Sequence, residues 1–135
     1  MLDFAEQIEL LCYNILMEQL ENWLELLKTA WEKKNPDLAI ELCAEKFIWY
    51  EAPFQNPITT RQGLLDEWES VQNHKDISMK YEILSLTGNV GIAKWSAVFK
   101  RLSEETSTEL EGIYLVKLDS QGKCTEFHQW YNSKY

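Results

Sequence analysis

Apolar positions at the start of the chain recur every three or four residues. Phe4, Ile8, Leu11 and Ile15 form a row, and Leu16, Leu20, Trp23, Leu27 and Trp31 continue it, with no Pro or Gly before Asn35. This period predicts an amphipathic helix, or two helices with a bend between them. In "NPDLAIELCAEKF", Asn35 suits the cap of a short second helix, Pro36 its first position and Asp37 its positive end. That helix is expected to end near Lys46. "FIWYEAPF" is rich in strand formers up to Pro53, which has no N–H to give to a sheet. "TTRQGLLDEWESVQ" then returns to helical spacing at Leu64, Leu65 and Trp68, with Thr59 or Thr60 as the cap.

The second half of the chain has a period of two. Ile77, Met79, Tyr81 and Ile83 alternate with Ser78, Lys80 and Glu82, "GNV" supplies a tight turn, and Ala93, Trp95, Ala97 and Phe99 share one side of the returning strand. "STELEGIYLVKL" and "KCTEFHQWY" read as two more strands, joined by "DSQGK", whose Asp119 and Gly122 suit a hairpin loop. Helices with one strand among them, followed by an antiparallel meander, make an α+β domain. A chain of 135 residues fits one such domain, and its six Trp supply bulk for a packed core.

Charge and cysteine usage narrow the classes of partner. A net charge of -9 repels phosphate backbones and anionic lipid surfaces, so neither nucleic acid nor a membrane is the expected partner. Cys12, Cys43 and Cys124 are odd in number and widely spaced, with no CxxC pair and no His at zinc-ligand spacing. A reduced, cytoplasmic protein without metal or cofactor is the expectation. Asp3, Glu6 and Glu9 interrupt the start where a signal peptide needs an apolar core, and no apolar run reaches the roughly 18 residues of a membrane span.

The order of elements, with "FIWYEAPFQNPITTRQGLLDEW", "YEILSLTGNVGIAKW" and "LEGIYLVKLDSQGKCTEFHQWY", resembles the nuclear transport factor 2-like superfamily in its SnoaL-like branch. Trp49, Pro53, Phe54, Pro57, Arg61 and Trp68 match that branch, whereas Thr60 stands where it usually has Gly, so the turn there is expected to avoid a positive φ. The likeness covers roughly residues 20–132 and leaves residues 1–18 as a helical extension outside it. It implies a cone: a strongly curved, mostly antiparallel sheet wrapped around three helices, with a pocket inside and an outer face through which members often dimerise. The superfamily holds isomerases, polyketide cyclases, dehydratases and epoxide hydrolases, and also members that only bind or assemble. Fold therefore does not decide function.

The candidate site residues come from strand alternation. Trp49 and Glu51 share a face; if it lines the cone, burial suits Glu51 to proton transfer, and if not, Glu51 is solvated or paired with Arg61. Because Pro53 ends regular pairing, Glu51 is expected at the mouth of the cone. The same alternation puts Cys124, Glu126, His128 and Trp130 together, so His128 is either the acid–base partner of Glu51 or a core or dimer-interface histidine. His74, in the polar "QNHKD", is expected to be exposed. Glu109 and Glu111 share one acidic face, which is either solvated or paired across strands, or part of the site. Trp49, Tyr81, Trp95, Glu111 and Trp130 complete the candidate ligand contacts. Two readings follow: a pocket for a small apolar molecule with metal-independent acid–base chemistry, or a non-catalytic dimeric module that binds a ligand or a protein.

Overall fold

The computed structural model describes residues 1–134. Helix α1 (Phe4–Glu32) is continuous, so the apolar row runs through without a bend. Asp3 caps it, accepting the Glu6 N–H at 2.8 Å in a reciprocal capping box. Leu20, Trp23, Leu24, Leu27 and Ala30 bury the second half of the helix, whereas Phe4, Ile8, Leu11 and Ile15 stay exposed. Helix α2 (Pro36–Glu41) is capped by Asn35, as its sequence predicts, but stops short of Lys46. The reason is tertiary. The Leu42 carbonyl accepts the Trp23 indole N–H at 2.9 Å and the Cys124 N–H at 2.8 Å, which draws the backbone that follows into a sheet. Helix α3 (Arg61–Trp68) is capped by Thr60 at φ -126°, in agreement with the expected absence of a positive φ. A 3-10 turn, Glu69–Asn73, leads out of it.

Strands β1 (Cys43–Tyr50), β2 (His74–Thr87), β3 (Val90–Arg101), β4 (Ser107–Leu118) and β5 (Cys124–Lys134) form, among the described residues, a five-stranded sheet in the order β1-β5-β4-β3-β2. β1 runs parallel to β5 and the other pairs are antiparallel. The concave face holds the core with the helices: Trp49, Phe127 and Val116 lie side by side at one level, and Trp95 and Ala97 further along. No described helix is long and apolar enough to cross a membrane.

Two irregularities decide which side chains face inward. In the β4–β5 pair Leu118 is opposite Cys124 and Lys117 is opposite Glu126, so Thr125 is an extra residue. A single extra residue reverses the alternation beyond it. Cys124 is buried, yet after the bulge Phe127, Gln129 and Tyr131 turn inward and His128 and Trp130 outward. In the β2–β3 pair the register slips between Lys75 and Ser78, where Asp76 adopts φ 52°. That bulge lets His74 and Met79 both face inward although one number is even and the other odd. Gly112 answers a third demand of the curved sheet: a Cβ there would collide with the backbone of Trp130 on β5.

Candidate functional site

A cavity of about 710 Å³ lies between the concave face and the segment Glu67–His74. Its volume is within the usual range for a small-molecule site. Trp49, Trp95, Tyr114 and Phe127 give it aromatic walls, with Trp49 stacked on Phe127 at 3.9 Å between ring centres and Trp95 on Tyr114 at 4.9 Å.

Glu51 follows directly on β1, and the alternation that placed it with Trp49 holds. Its carboxylate is part of the cavity wall. The Trp49 indole N–H donates to Glu51 Oε2 at 2.7 Å, and the Gln129 amide donates to Oε1 at 3.0 Å and to the Glu51 carbonyl at 2.9 Å. With both its acceptors on Glu51, the Gln129 NH2 is fixed in orientation. Burial pushes the carboxyl above its usual range, and the nearby Glu67 carboxylate adds to the effect, while the two hydrogen bonds oppose it. Glu51 is thus tied to the wall by two donors while remaining partly exposed at the end of β1, and among the described residues it is not paired with Arg61. Tyr114 beside it is pushed well above the usual phenol value, first by burial and then by Glu51.

His128 and Glu51 do not share a cavity. The bulge at Thr125 turns His128 to the convex face, where its ring stacks on Tyr50 at 4.4 Å and on Trp130 at 5.4 Å, and its Nε2 lies 3.0 Å from Glu126 Oε2. Trp130 belongs to the same outer patch and is 42% exposed. Glu111 also faces outward, 3.6 Å from Lys94 Nζ. Tyr81 is on the inner side but beneath α1, with its hydroxyl donating to Glu25 Oε2 at 2.8 Å, and it does not line the cavity. Of the expected ligand contacts, Trp49 and Trp95 are in the wall, and Tyr81, Glu111 and Trp130 are elsewhere.

The histidine in the cavity is His74, in contrast to the exposed position that the polar "QNHKD" suggests. It opens β2 opposite Arg101, stacks on Phe99 at 3.9 Å and is half-buried. Burial lowers its pKa, helped by Arg101 and Lys34, so the neutral ring is favoured. Asp76, a residue type that tolerates positive φ, was the signal for a bulge just after His74, and the bulge sets which way the ring points.

Comparisons with known proteins bear on the fold. No family model and no curated protein matches the sequence. Solved structures do match. SalBIII, described as an epoxide hydrolase/cyclase-like enzyme of pyran ring formation in the polyether salinomycin, superposes with a TM-score of 0.72 at 10% identity, over 89% of this chain and 92% of its own. A Novosphingobium aromaticivorans protein named for scytalone dehydratase gives 0.71 at 14% identity, over 92% of this chain and 87% of its own. This is the nuclear transport factor 2-like, SnoaL-like fold. A computationally designed 17-OHP binder has the same fold, with a TM-score of 0.69 at 11% identity over 82% of this chain and 90% of its own. In this chain the cavity lies between the curved sheet and the helices.

Proposed function

We propose that the cavity receives a small, largely apolar molecule and that Glu51 exchanges a proton with it. The observation that carries this reading is the carboxyl of Glu51, fixed by the Trp49 indole and the Gln129 amide within an aromatic wall. Both neighbours donate, so they orient the group and leave its own proton to point elsewhere. Burial favours the neutral acid, which donates into the cavity; once ionised, the same group accepts. Such a group serves an isomerase, cyclase, dehydratase or hydrolase type of reaction, and the activities named for SalBIII and for the scytalone dehydratase-like protein belong to that range. A second reading, a dimeric binding module without catalysis, is favoured by the position of His128, which leaves Glu51 without the proton-transfer partner expected for it.

Calorimetric titration with naphthyloxyethanol, a neutral and mostly apolar probe, tests the cavity. The expected result is one equivalent bound per chain, with affinity about tenfold weaker in Leu110→Trp, which fills the space. No binding of this probe or of its carboxylate counterpart naphthyloxyacetate, or binding indifferent to Leu110→Trp, would overturn the reading.

A further inference from the structure

We infer that the cavity is built for an apolar molecule carrying a carboxylate, with the anion held at the Arg101 end, remote from Glu51. This rests on the cavity being a ligand site. The two ends differ in charge. At the Glu51 end stand two carboxyl groups, those of Glu51 and Glu67. At the other end Arg101 lines the wall beside His74, and Lys34 is near enough to lower the histidine's pKa. Thr108 and Tyr114, which mark the two ends on β4, are about 20 Å apart along the strand at a rise of about 3.4 Å per residue, and less in a straight line because the sheet curves.

The polar atoms of the wall say which chemistry suits this space. The Trp31 and Trp95 indole N–H groups are buried and have no hydrogen-bond partner among the described residues, and both side chains line the cavity. An indole N–H only donates, so what satisfies it is an acceptor on the ligand; Trp95 is stacked on Tyr114 and the Trp31 ring centre is 5.7 Å from that of Trp95, so these two donors face the body of the ligand, away from Arg101. His74 Nδ1 is likewise buried without a partner. Arg101 is anchored, not spent: it donates through Nη1 to Thr108 Oγ1 at 3.0 Å, lies 3.7 Å from the partly exposed Glu104, and sits 5.8 Å over the Phe99 ring. Of its five N–H donors, the remaining ones form the fork that fits a carboxylate. At the Arg101 end the guanidinium is the charged donor, which a carboxylate matches in charge and geometry, a neutral alcohol matches only singly and a cation opposes.

Two probes that share a naphthyl body and differ at one end, naphthyloxyacetate and naphthyloxyethanol, test the inference by calorimetry. The carboxylate is expected to bind at least about tenfold more tightly than the alcohol, as charge-assisted hydrogen bonds imply. In Arg101→Gln that ratio is expected to fall to within about threefold, and in Arg101→Lys to an intermediate value. A wild-type ratio near one overturns the anion site regardless of how the variants fold, and so does a ratio that survives Arg101→Gln. In either case binding of the alcohol leaves the cavity reading standing. If neither probe binds, both readings fail together.

Discussion

A carboxylate among aromatics is tolerable when every oxygen is accounted for. Glu51 meets this with two donors, and burial still leaves its pKa raised. The consequence for stability has a definite sign. Between the ordinary carboxylate value and the raised one, the folded state keeps a proton that the unfolded chain has released, so stability contributed by this group falls as pH rises through that window. His74 acts oppositely: its lowered pKa withdraws stability as pH falls through and below the ordinary histidine value. Glu51→Gln separates the two. An amide at this position turns one NH2 toward a donor, costing about 1 kcal/mol in acid, where Glu51 is neutral anyway. As pH rises the variant is expected to recover and then exceed the wild type, as read from urea midpoints between about pH 4 and 8. Curves that stay parallel would show that Glu51 keeps an ordinary pKa.

Among the elements, β4 and β5 carry the irregularities that shape the cavity. Gly112 lets the two strands approach where the sheet bends, and the group that a side chain there would strike is backbone, which cannot swing aside as a side chain does. Gly112→Ala is therefore expected to cost about 3 kcal/mol, with loss of probe binding in whatever remains folded. A change within about 0.5 kcal/mol would mean that the curvature does not depend on this glycine. The first turns of α1 are the converse case. Phe4, Ile8, Leu11 and Ile15 have the spacing of a buried face, yet the domain offers them nothing to pack against.

At the scale of the molecule, the sheet has a second face with chemistry of its own. Ile48, Trp130 and Val98 are exposed there, and the Tyr50–His128–Trp130 stack runs through the same patch. We propose that a second copy of the chain covers these apolar side chains, giving a homodimer through the outer face. Light scattering at micromolar concentration is expected to give twice the chain mass for the wild type, and the monomer mass for Trp130→Asp, whose change lies at the surface and leaves the core intact. A monomeric wild type would refute the dimer.

Element types were legible in the chain because they rest on local physics: a period of three to four or of two, a cap at Asn35 or Thr60, a turn at Gly122. The Trp49–Glu51 side of β1 was legible for the same reason, since no irregularity intervenes between them. The histidine of the cavity was not. Alternation counts residues, and a bulge adds one that is visible only once two strands are paired; Thr125 sends His128 outward, and the slip at Asp76 leaves His74 inward. The end of α2 was equally a matter of partners, because the Leu42 carbonyl is claimed by Trp23 and Cys124 from distant parts of the chain. Local spacing determines what each segment can form, whereas pairing across the sheet decides which of its side chains meet, and the cavity is made of those meetings.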